Sequence, residues 1–187
     1  MALQFFKDAP TNDNVPVSSE NPLPVRQIEL PGYYQLPVAG QTITRLYQVP
    51  GIATADAFDS GDAFGTPIKL ADLFRPEKGS GLIMGMFLLD LDDEGIQIDV
   101  PLFVGPIVGV ASDAAASFTD GELMLCRWVF SINTFYNWAT NQFGQTNQNP
   151  MHIVAGGPDL WTQLIVIGTP TIAALNVPVL GITVVPD

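Results

Sequence analysis

Leu82-Ile83-Met84-Gly85-Met86-Phe87-Leu88-Leu89-Asp90-Leu91 is followed at once by Asp92-Asp93-Glu94-Gly95 and then by Ile96-Gln97-Ile98-Asp99-Val100. The first segment is apolar but far short of the roughly 20 residues that span a membrane. Its length suits a central buried strand. The second is an acidic turn closed by glycine. The third alternates apolar and polar side chains with period two, as a strand does when one face is buried. Together they predict a β-hairpin and, with it, an antiparallel sheet.

Working outward, Thr66 to Leu70 reads as a short strand and Arg75 to Gly81 as a turn. Leu102 to Val104 continue the hairpin's second strand past Pro101, which implies an edge or a bulge there. Thr119-Asp120-Gly121-Glu122 has the spacing to cap one helical turn, with Leu123 and Leu125 expected inward. Arg127 to Ile132, Met151 to Ala155, Leu160 to Ile167 and Val177 to Val185 read as further strands. Asn133 to Gly144 suits strand or loop, and Asn141 to Pro150 reads as an uncharged loop. Short strands with frequent turn signals predict an all-β protein: an antiparallel β-sandwich, jelly-roll-like, with an extended N-terminal arm.

The arm is read from proline. Positions 10, 16, 22, 24, 31, 37 and 50 are all Pro, and Pro removes a donor while restricting the residue before it. Val15 to Val25 is therefore expected to be extended, as polyproline II or edge strand. Such a segment gains little from itself and more from a partner, or else is a flexible tail. The expected division is arm and linker over 1–60 and a β-sandwich body over 61–187, large enough to bury its own core.

Among the 187 residues, 19 acids outweigh seven bases and give a net charge of −12. Beyond residue 78 Arg127 is the one base against ten acids. This surface repels phosphate, so nucleic acid is not expected as a partner. Charge is low overall, at 14%, and the hydrophobic fraction is 47%, so the chain is not of the disordered class. The N-terminus lacks the pattern of a signal peptide, and neither secretion nor membrane insertion is expected.

Chemistry-bearing motifs are sparse. Cys126 is the one cysteine and sits in an apolar run, as a buried thiol does. His152 is the one histidine, so any triad would use it, with Ser131 and Asp159 as the partners to draw near. No nucleophile-elbow phrase accompanies it. Asp90, Asp92 and Glu94 resemble half of a calcium loop, but its twelfth position is Pro101 and its flanks are strands, so the turn reading is preferred. No metal, cofactor or catalytic group is expected. Trp128 and Phe130 share a strand face and are expected in the core. Tyr136, Trp138 and the Asn141–Asn149 loop suit an exposed binding or subunit-contact surface.

Several phrases carry a resemblance. They are Gly65 to Leu70, the acidic turn Asp90 to Gly95, Val100 to Phe103, Ala111 to Leu123 and Leu160 to Thr171. In this order, over roughly residues 60–187, the chain resembles virion structural proteins of tailed phages, of the head decoration or capsid cement type. Asn21-Pro22-Leu23-Pro24-Val25 also resembles a phrase of phage structural proteins. The near absence of positive charge in the body departs from that family. The resemblance implies a non-enzymatic subunit on the outer capsid surface of a virion. It would bind the major capsid protein and itself, as trimer or dimer, through Asn21 to Val25, Arg26, Tyr33, Tyr34, Tyr136 and Trp138. The alternative is a carbohydrate-binding head fibre or tail component for host attachment.

Overall fold

In the computed structural model the described residues are 5–7, 14–16, 40–52, 57–90, 95–138, 141–170 and 177–187. The chain divides into two compact units, residues 1–35 and 36–187. In the first, β1 (Phe5–Lys7) pairs antiparallel with β2 (Asn14–Pro16).

The second unit is a nine-stranded antiparallel sheet that curls until its ends nearly meet. Its strands are β3 (Ile43–Gln48), β4 (Ala63–Leu70), β5 (Ser80–Asp90), β6 (Gln97–Phe103), β7 (Cys126–Trp138), β8 (Asn141–Thr146), β9 (Met151–Val154), β10 (Leu160–Ile167) and β11 (Val179–Pro186). Their order is β3-β11-β5-β8-β7-β6-β10-β4, with β9 paired to the start of β5. One helical turn, α1 (Asp120–Leu123), interrupts the pattern. The all-β antiparallel fold expected from the sequence is the fold adopted, with the layers joined into one continuous ladder.

Alternation fills the core. Ile83, Met86 and Leu88 of β5 face Ile98, Val100 and Leu102 of β6, Phe130 and Ile132 of β7, and Leu180, Ile182 and Val184 of β11. β3 and β4 end the ladder and approach each other. The Thr66 amide donates to the Pro50 carbonyl at 2.8 Å, and the Tyr47 hydroxyl to the Ala71 carbonyl at 3.0 Å. The start of β4 is covered by the 113–116 segment, where Ala63 exchanges backbone bonds with Asp113 and Ala114. The loop before α1 crosses β4 and β10 and is tied down by buried Gln163. This side chain accepts from the Val110 amide and donates to the Gly65 and Val110 carbonyls. Gly109 (φ +62°) sits where a Cβ would run into Gln163 and Pro67.

Four expectations change. β5 and β6 do not form a hairpin: β5 pairs with β11, β8 and β9, and β6 with β7 and β10. Both strands bury one face in the same core from different sides, so the chain crosses between them, and buried Asp90 braces the corner by accepting the Gly95 amide at 3.0 Å. β3 belongs to the body, although residues 1–60 were read as arm and linker. Asn141 to Thr146 is a strand, held between β5 and β7. Leu123 is exposed rather than tucked in, although the cap around it forms as expected, with Thr119 and Glu122 bonding reciprocally.

Candidate functional site

Period-two alternation gives the sheet an outer face as definite as its inner one. On β3 the outward positions are Thr44, Leu46 and Gln48; on β11, Val179, Gly181 and Thr183; on β5, Phe87 and Leu89. Opposite these, β8 presents Asn141, Phe143 and Gln145, and β7 presents Thr134 and Tyr136. None of these outward positions is charged; Arg127, exposed near the start of β7, precedes the part of that strand that pairs with β8. Charge resumes at the border by β9, where His152 Nε2 lies 2.8 Å from Asp187 Oδ2.

Aromatic rings organise this face. Phe87 and Phe143 stack with centroids 5.2 Å apart and planes at 27°. The Phe87 ring lies across Gly181, whose missing Cβ makes room for it. Beside the rings is a shallow open depression of about 320 Å³, lined by Met84, Phe87, Phe143, Gln145, Thr146 and Thr183. Gln145 Nε2 donates to the Tyr136 hydroxyl at 3.2 Å, and Thr44 and Thr183 share a hydroxyl bond at 3.0 Å. The amide-rich segment is knitted to β7: Asn147 donates to Thr134 Oγ1 at 2.5 Å, and Gln148 Oε1 accepts the Ser131 amide at 3.1 Å.

Of the expected site residues, Tyr136 lies on this face and is 48% exposed. Trp138 ends β7, with its backbone opposite Asn141. Asn21, Pro22, Leu23, Pro24, Val25, Arg26, Tyr33 and Tyr34 lie outside the described residues. Phe130 is core, but Trp128, expected beside it, is 40% exposed near the start of β7. Phe143 and Gln145 lie on the face too, within the expected 141–149 segment. Sequence reading missed Leu46 and Phe87. Leu46 alternates with polar neighbours but stands in proline-rich context. Phe87 is masked by the continuous apolar run around it.

The remaining reactive groups have structural partners. Ser80 Oγ donates to Asp187 Oδ2 at 2.5 Å, the same oxygen that meets His152, so the hydroxyl proton points at the carboxylate and not at imidazole. These bonds, Ser80 first, hold the Asp187 carboxyl below the usual range. Ser131 donates to Asp99 at 2.5 Å and Asp159 pairs with Lys69 at 2.6 Å, so neither meets His152. Burial pushes the Cys126 thiol up, away from the thiolate that reacts. Burial also raises the Tyr47 phenol far above its ordinary value. Among the described residues no cluster of three or more His, Cys, Asp or Glu could hold a metal ion, and no helix is long and apolar enough to cross a membrane.

Comparison with family models, with curated proteins and with solved structures finds no match for this chain.

Proposed function

We propose that this chain is a non-enzymatic decoration subunit of a phage head, docking on the major capsid protein through its first unit and displaying its β body. One observation carries the reading: the chain divides into two compact units, and the described core of the second is built from residues of that unit, Val49 to Val184. A separate, proline-rich leading unit is the kind of segment that gains its order from a partner. The resemblance of its motif order to that of phage virion proteins favours the same reading.

The test is a deletion of residues 1–35, which spares β3. The shortened chain is expected to stay folded by circular dichroism and to lose co-sedimentation with capsids. Undiminished binding by the shortened chain would show that the first unit is not the docking element. A second reading, glycan attachment, is favoured by the Phe87–Phe143 depression, whose apolar floor and uncharged rim suit a sugar ring. It predicts saturable glycan binding that Tyr136→Ala abolishes.

A further inference from the structure

We infer that the uncharged face of β3, β11, β5, β8 and β7 is the docking surface for a second copy of this chain, sheet against sheet about a twofold axis. The first argument is electrostatic. Each copy carries a net charge of −12. Two copies meeting over carboxylates would desolvate like charges, which is strongly unfavourable. The outward positions of β3, β11, β5 and β8, and of β7 where it pairs with β8, are uncharged, so a copy can approach them without that cost.

The second argument is composition and shape. Leu46 is 61% exposed and Tyr136 48% exposed, and both stand on strands instead of loops. With Phe87 and Phe143 they supply the aromatic and aliphatic groups that form interface centres, where charges are depleted. A twofold sets each patch against itself and closes the assembly at two copies. It also gives each depression of about 320 Å³ a projecting side chain of the partner to receive.

Area sets the strength. Five strands about 4.8 Å apart and some five residues long cover roughly 400 Å² per copy in plan. That lies at the low end of specific interfaces, the range of weak, reversible association.

The experiment is sedimentation velocity of the purified full-length chain up to about 200 µM, at about 20 mM and about 500 mM salt. A reversible dimer is expected. It should tighten several-fold at high salt, because screening relieves the repulsion between acidic copies and no ion pair is lost. Leu46→Glu and Tyr136→Glu should each weaken it at least about tenfold, while Val108→Glu, on the loop that crosses β4 and β10, should leave it unchanged. The salt series needs no variant and stands even if a substitution harms folding. A monomer at every concentration, a trimer, a dimer weakened by salt, or one indifferent to both substitutions overturns the inference. A monomer that binds glycan through Tyr136 would give the face to the second reading. No capsid enters the measurement, so its outcome is separate from that of the docking proposal.

Discussion

At Gly181 the ring of Phe87 occupies the space a side chain would fill. Gly181→Ala forces the ring off the β11 backbone and disturbs its stacking on Phe143. Overpacking of this kind costs about 1–3 kcal/mol, so the urea midpoint should fall while the unfolding slope stays constant. Glu122 shows the opposite economy, one side chain satisfying many donors. Its carboxylate accepts the Thr119 amide at 2.8 Å, the Thr119 hydroxyl at 2.9 Å and the Val108 amide at 2.6 Å. These bonds, the Thr119 amide foremost, hold its carboxyl below the usual carboxylate range. A carboxyl lowered by folding adds stability above its unfolded value and loses that stability as pH falls through the folded one. Glu122→Gln should therefore melt below the parent protein at neutral pH. The gap should narrow as pH drops under the ordinary carboxylate range and close in stronger acid. Paired thermal melts across that range check the sign.

Among the elements, β3 and β8 show where tertiary pairing overrides local signals. Ile43 to Gln48 alternate as a strand should, but Pro31, Pro37 and Pro50 pull the reading toward an extended arm. What settles the matter is β11, opposite all six of its residues, and a partner so distant in sequence leaves no local trace. Asn141 to Thr146 is rich in residues of low strand preference, and it is a strand because β5 and β7 offer bonds on both sides. Pairing partners were the illegible part as well. Strand positions follow from periodicity, but the acidic corner after β5 looks like a hairpin turn whichever way the chain leaves it. Removal of residues 1–52 follows as an element-scale test. It strips β3 and Val49, uncovers the edge of β11, and takes away the half-buried Ile43 and Tyr47. At about 1.5–3 kcal/mol per buried side chain, the loss is about 4 kcal/mol or more. Such a chain should melt much lower than one lacking only residues 1–35, by calorimetry of the two side by side.

For the molecule as a whole, fold class was legible because turn residues, prolines and period two all point the same way. The candidate face was legible at Tyr136 and in the 141–149 segment, where aromatics stand among amides. Its extent was hidden because a neutral outer face turns β5 into a continuous apolar run, and periodicity then no longer tells outside from inside. Charge was legible as a sum and, in part, as a distribution along the chain. Its arrangement in space, with no described acid at the outward positions of β3, β11, β5 and β8, follows only once β3 and β8 are in place. The docking and association experiments belong at this scale, since each depends on an entire surface and not on one group.

Strand order also governs when the fold can exist at all. Thr44 of β3 and Thr183 of β11 share a hydroxyl bond across 139 residues. A ribosome adding about 5–20 residues each second leaves β3 waiting for roughly 7–28 s before its partner is even synthesised. Through that interval the flank of β5 that will take β11 is bare as well. The nascent chain thus holds two unsatisfied edges until β11 emerges, and soluble yield should depend on whatever shields them during synthesis.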